Sequence, residues 1–328
     1  MKIHFDNVIF SGSGSQTGPN TFANRLAKKL FELGHEVVFE RQDAPISLVF
    51  IEPSGAPLAP KVVQRLDGIW SKPNEFENRN VSIKALYHKA DAVVWQSKFD
   101  RNMTLRHWGF PAGSERFRGC VLEPMPDRVI GNGIEINPVK EITIPKLLEM
   151  RATYDQIYVC SSNWHPQKRL ETNVKLFEHL RKQHPNSCLI IMGDHPDYRA
   201  TGANVFYTGP VGPDVYMQVY SIANWMLHCA WSDHCPNVVC EALSQGCPVV
   251  CSEVGGTKEL IGGYGVVLKE VEPYDYELYD YDHPPFINVE QVSDLPTRQE
   301  LDYTGIADLI DINVIVKQYV ERFEKVCK

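Results

Sequence analysis

The chain has 328 residues, 43% of them hydrophobic and 23% charged, with a formal net charge of −8. That length is long for one domain and comfortable for two, and no apolar run reaches the roughly 20 residues of a membrane span. The charge is uneven, with 18 Lys+Arg against 15 Asp+Glu in residues 1–140 and 15 against 26 in 141–328, so the second half would repel a polyanion and nucleic acid is not an expected partner. The first residues lack the basic region, apolar core and cleavage site of a secretory signal. Nine cysteines at irregular spacings do not read as a disulfide framework, so a reducing, cytoplasmic setting is expected.

In chain order, Ile3–Phe10 is β-branched and aromatic and predicts a strand running into the Gly/Ser loop SGSGSQTGPN. TFANRLAKKLFEL carries Phe22, Leu26, Leu30 and Leu33 at helical period, Gly34 ends that helix, and HEVVFE follows as a strand. Strand, Gly-rich turn, helix and strand open a parallel α/β layer. DAVVWQS predicts another buried strand, and VIGNGIE a strand ending in a turn ahead of a linker at Asn137 and Pro138. SKFDRNMTLRHWGF, with three cations beside Phe99, Met103 and Trp108, allows weak peripheral contact with a membrane surface; packing against the N-terminal sheet is the expected use.

The second half repeats the pattern. QIYVCSS, SCLIIMG, NVFYTG, WMLHCAWS, PVVCSEV and GVVL predict strands, and RLETNVKLFEHLRKQ, DVYMQVYSIA, NVVCEALSQG and TKELIG the helices between them. The acidic, Tyr-rich EVEPYDYELYDYDHPPFINVEQ reads as an irregular insertion. DINVIVKQYVERFEKVCK is an amphipathic helix with Ile312, Ile315, Val316, Tyr319, Phe323 and Cys327 on one face.

The densest chemistry lies in SDHCPNVVCEALSQGCPVVCSEVGGTKEL. Asp233 falls just past a buried strand, and Pro236 suits the first turn of the next helix. Glu241 then lies about 7 Å further along the helix axis. A helix N-terminus offers unpaired N–H groups to phosphate or sugar hydroxyls. Taken singly, Asp233 would be a helix cap and Glu241 a solvated acid. His228, Cys229, His234, Cys235, Cys240, Cys247 and Cys251 crowd the same region, but without zinc-ligand spacing they read as core residues.

D-x7-E followed by ALSQGCPVV and GG-x-x-E resembles the signature of family 4-type retaining glycosyltransferases, in which E-x7-E is usual. WHPQKRL, IIMGDHPD, VFYTGPV, IGNGIE and SQTGPNTFANRLAKKLFELGHEV extend the resemblance, in order, over most of residues 1–265. It implies a GT-B fold, with two Rossmann-like doubly wound parallel-sheet domains facing across a cleft. These would be an acceptor-side domain at 1–140 and a nucleotide-sugar domain at 141–310, with a helix at 311–328 crossing back to the first. The implied reaction moves a sugar from a nucleoside-diphosphate sugar to a glycan, lipid-linked or small-molecule acceptor, with retention and without a metal or other cofactor.

The resemblance also implies roles. Glu241 would hold the ribose, while Asp233 with His234, Cys235, Pro236 and Asn237 would face the transferred sugar. Lys168 would neutralise the leaving diphosphate. Gly18 matches the second glycine of an N-terminal pair whose first is replaced by Thr17, and Gly193 and Asp194 fall beside the donor. Gly255 and Gly256 match a later pair, where a side chain would crowd the ligand. The family usually has an Arg five residues before the Lys; Asn163 stands there, which leaves Arg169 as the second cation or the diphosphate more weakly held. This departure keeps a catalytically silent sugar-nucleotide-binding protein of the same fold as an alternative. The loop GSGSQTG with Glu40 leaves a nicotinamide-dependent oxidoreductase as a weaker rival.

Overall fold

The computed structural model describes residues 1–9, 18–111, 129–194, 198–202 and 204–328. They form two units. The first comprises Met1–Ile134, Asp275–Tyr279 and Asp308–Lys328, and the second Glu135–Tyr274 and Asp280–Ala307. The chain therefore leaves the second unit for five residues in the middle of the acidic segment and returns to it.

In the first unit the elements are β1 (Lys2–Asp6), α1 (Gly18–Glu32), β2 (Glu36–Val38), β3 (Ile46–Phe50), β4 (Lys61–Leu66), α2 (Phe76–Arg79), α3 (Val81–Tyr87), β5 (Ala92–Trp95) and α4 (Lys98–Trp108). The strands form one sheet in the order β2-β1-β3-β4-β5, parallel throughout. No strand was expected between HEVVFE and DAVVWQS, yet β3 and β4 lie there. Gln64 and Arg65 interrupt the apolar run of KVVQRL, and both are fully buried. Gln64 bonds the backbone carbonyls of Ile51 and Ile83. Arg65 contacts Asp67, Gln96 and Asn132 and lies over the Phe22 ring. VIGNGIE forms no strand; it makes isolated parallel bridges, Val129 to Trp95 and Ile134 to Asp311. Phe99, Met103 and Trp108 of α4 are buried.

The second unit contains α5 (Pro145–Thr153), β6 (Gln156–Ser161), α6 (Leu170–Leu180), β7 (Ser187–Met192), β8 (Val205–Gly209), α7 (Pro213–Ile222), β9 (Trp225–His228), α8 (Asn237–Ser244), β10 (Val249–Ser252), α9 (Thr257–Ile261) and β11 (Gly265–Leu268). Its sheet runs β11-β10-β9-β6-β7-β8 and is parallel throughout. The chain starts in the middle at β6, builds outward to β8, then returns to β9 and builds the other way. That is the strand order of dinucleotide-binding folds, whose ligands sit at the carboxyl ends where the order reverses. Here the reversal lies between β6 and β9.

A short helix, α10 (Ile306–Ile310), and a long one, α11 (Ile312–Cys327), close the chain. Ile312, Ile315, Val316, Tyr319 and Phe323 of α11 join Phe22, Leu26 and Leu30 of α1 in one core against the first sheet. Cys327, expected on that face, is exposed. Leu33 of the α1 pattern is exposed as well. The acidic stretch is irregular but anchored, with Ile287 fully buried; beyond it, Tyr303 donates to the Leu243 carbonyl at 2.7 Å.

Candidate functional site

Loops after β6 and β9 meet at the reversal of the second sheet. After β6 the chain passes through an exposed Asn163 into a 3₁₀ turn, Pro166–Lys168. Arg169 then adopts φ 49°, ψ 49°, the left-handed region that non-glycine residues seldom occupy. The Trp231 N–H donates to the Gln167 carbonyl at 2.7 Å, lashing this turn to the loop after β9. Asn173 of α6 repeats the link, donating to the Lys168 carbonyl and accepting from the Cys229 N–H.

These ties bring Lys168 to Asp233, 65 positions away. Lys168 Nζ donates to Asp233 Oδ2 at 2.5 Å, and His228 Nε2 lies 3.2 Å from the same oxygen. Burial would raise the Asp233 pKa, but the Lys168 charge and the His228 hydrogen bond outweigh it and hold the carboxyl well below its ordinary range. The His234 pKa is lowered too, which in a base favours the neutral form. Burial, reinforced by Lys168 and opposed by Asp233, brings it down to about 4, so its ring is neutral at pH 7.

Asp233 is held from beneath by the loop after β10. The Gly256 N–H donates to the Asp233 carbonyl at 2.7 Å, and the Ser232 N–H to the Val254 carbonyl. Gly255 has φ 128°, and a Cβ there would lie 2.7 Å from the Asp233 carbonyl oxygen. A side chain at Gly255 would thus strike the Asp233 backbone. Gly193 is similar, with φ 114° and a Cβ position 1.9 Å from the Ser162 carbonyl oxygen, which brings the loops after β6 and β7 together. Asp194 beside it is exposed.

Past Asp233, Cys235 and Pro236 are buried, and Pro236 is the N-cap of α8 with Asn237 as its first residue. Glu241 is 6% exposed, so it is not a solvated surface acid. Burial and then the Glu241 carboxylate push the Tyr220 phenol far up, which places that carboxylate near α7. Gly18 is the first residue of α1 in the other unit; Thr17 and most of the Gly/Ser loop lie outside the described residues.

Arg169 departs from its expected role as a second phosphate cation. Its guanidinium points into the second unit, donating to both Glu270 oxygens at 2.7 and 2.9 Å and to the Pro285 carbonyl at 2.6 Å. The left-handed backbone turns the side chain inward while Lys168 faces Asp233. His228, Asn173, Glu270 and Trp231 were not identified as parts of this site from the sequence. A histidine closing the apolar run WMLH is the one local signal, because a buried polar group needs a partner. Among the described residues, no three His, Cys, Asp or Glu side chains converge as metal ligands. Burial raises the thiols of Cys188, Cys229 and Cys247 to about 12, so they are protonated core groups.

Residues 155–276, which carry this whole arrangement apart from the Pro285 contact, match the family model described as glycosyl transferases group 1. The second unit thus contains a stretch similar to group 1 glycosyl transferases. No curated protein matches the chain by sequence. Its fold is similar to that of HepE from Anabaena, solved in complex with UDP-glucose, at TM-score 0.64 and 17% identity over 99% of this chain and 100% of that one. AviGT4, a glycosyltransferase involved in avilamycin A biosynthesis, gives TM-score 0.64 at 17% identity, covering 99% and 98%. Sucrose-phosphate synthase from Thermosynechococcus elongatus gives 0.66 at 16%, covering 99% and 98%. The fold is accordingly GT-B, and within residues 155–276 Lys168, Asp233 and Glu241 occupy the strand ends and helix at which the sheet reverses.

Proposed function

We propose that the protein is a retaining glycosyltransferase that uses a nucleoside-diphosphate sugar, with Lys168 and Asp233 at the reacting end of the donor and Glu241 at the ribose. The observation that carries this reading is the Lys168–Asp233 pair at the sheet reversal of the second unit. As the anomeric C–O bond breaks, its electron pair leaves with the diphosphate, and a cation placed there stabilises charge that grows in the transition state. Lys168 supplies that cation. Asp233, kept ionised by Lys168 and His228, accepts hydroxyls of the transferred sugar, and the neutral His234 donates or accepts beside it. Glu241 accepts the ribose hydroxyls. That HepE was solved with UDP-glucose supports a donor of this class. The acceptor is a glycan, lipid-linked or small molecule bound by the first unit, with no metal or other cofactor in the reaction and the cytoplasm as its setting.

A second reading, a silent sugar-nucleotide-binding protein, is favoured by one observation: Asn163 and the inward Arg169 leave Lys168 as the sole cation of this turn facing Asp233. A thermal-shift panel with UDP, GDP, ADP, CMP and NADH, followed by turnover of the matching sugar donors, separates the readings. We expect stabilisation by one nucleoside diphosphate, its loss in Glu241→Ala, and turnover. Binding without turnover of any donor, with acceptors supplied, would establish the silent protein, and a response to NADH alone would establish an oxidoreductase.

A further inference from the structure

We infer that Arg169 is a positioning residue, and that its ion pair with Glu270 is the clamp that presents Lys168 to Asp233. The inference rests on the donor-site reading above for its kinetic consequence, but not for its geometry. Both side chains are nearly inaccessible, 2% and 1% exposed, so neither meets a ligand. Arg169 Nη1 also reaches the Cys229 carbonyl at 3.4 Å, and the guanidinium lies 5.0 Å from the Trp231 ring centroid. Glu270 further accepts from Ser252 Oγ at 2.5 Å, and its N–H donates to Glu253 at 2.7 Å.

One pair therefore joins the turn after β6, the loop after β9, the end of β10 and the chain beyond β11. Pro285, on the return leg of the acidic segment, is tied to the same guanidinium. A residue in left-handed conformation is strained unless its surroundings over-determine it. Here the surroundings are a planar fork matched to a planar carboxylate, a geometry that lysine cannot reproduce. Because the chain reverses at Arg169, anchoring its side chain inward fixes the direction in which the preceding residue, Lys168, leaves the turn. Without the anchor, the turn is free to relax to ordinary right-handed backbone and carry Lys168 away from Asp233.

The test uses the full chain and the variants Arg169→Lys, Glu270→Gln, Lys168→Ala and Arg169→Lys/Lys168→Ala, each assayed below its own melting temperature. Release of nucleoside diphosphate is followed with UDP-, GDP- and ADP-glucose. If Arg169 acts through Lys168, Arg169→Lys lowers kcat by about 10²-fold, the scale of a misplaced catalytic group, with little change in KM. In the Lys168→Ala background the same substitution should then lower kcat by no more than about twofold, because the two residues act as a unit. Independent, multiplicative losses would overturn the clamp. A fully active Lys168→Ala would instead sink the donor-site reading.

A second readout needs no substrate. Acetylation of Lys168 by acetic anhydride, followed by mass spectrometry with Lys175 as internal reference, should quicken several-fold in Arg169→Lys and Glu270→Gln as Lys168 is released from Asp233. An unchanged rate would overturn the proposal whatever the protein acts on.

Discussion

Two opposing effects meet at Asp233. Desolvation favours the neutral acid, while Lys168 and His228 favour the anion and win. A carboxyl whose folded pKa is depressed contributes stability that is present above its unfolded value, near 3.8, and lost as pH falls through the folded one. Replacing Lys168 by Met removes the charge that is the largest single stabilising influence on the Asp233 anion. We expect Lys168→Met to be less stable at neutral pH and to lose less further stability as the pH falls below 3.8, read by urea unfolding across that range. Donor turnover should fall by about 10²-fold, the cost of losing one charge-stabilising donor. His234 follows linkage of the same sign by a different route. It is a base held near 4 against 6.5 when unfolded, so stability is complete above 6.5 and falls as the pH is lowered toward 4, by about 2–3 kcal/mol. His234→Gln should flatten the wild-type slope in that window; an unaltered slope would mean that His234 protonates freely in the folded protein.

At the scale of elements, the site depends on loops that approach closely where glycine permits it. Gly255→Ala places a methyl group against the Asp233 backbone at a φ that alanine tolerates poorly, and should cost more than about 1 kcal/mol. Gly256 has φ −83°, ordinary territory, so Gly256→Ala should cost less. Comparing the two by thermal unfolding and nucleotide affinity separates strain under Asp233 from a general demand for glycine. Local pattern served well where an element has one apolar face. The buried stripe of α6, Leu170, Val174, Phe177 and Leu180, is legible at period 3.6. It failed for β4, where Gln64 and Arg65 are buried among hydrophobes. Their partners, Ile51 and Ile83 for one and Asn132 for the other, lie too far along the chain for a window to see.

Over the whole molecule, the first unit has no complete core without the end of the chain. Ile312, Ile315, Val316, Tyr319 and Phe323 are fully or nearly buried against α1 and the sheet, and a Cβ on Gly133 would meet Ile312 at 2.8 Å. Residues 1–134 expressed alone should therefore lack a cooperative unfolding transition, because removing even one large aromatic such as Phe323 from a core costs about 3–5 kcal/mol. Supplying residues 308–328 as a fused segment should restore the transition in circular dichroism melts. Sequence by itself determined the α/β class, most strands and helices of the second unit, and the candidates Lys168, Asp233 and Glu241, since period, caps and motif spacing are local. Tertiary structure alone decided which side chains meet. The adjacency of β6 and β9 sets Lys168 beside Asp233, and a left-handed residue turns Arg169 inward to Glu270. The path of the acidic segment brings Tyr276 against Phe99 and Asn102 of the first unit. Those pairings cross 65, 101 and more than 170 positions, and it is strand order and chain path, which no local pattern encodes, that close them.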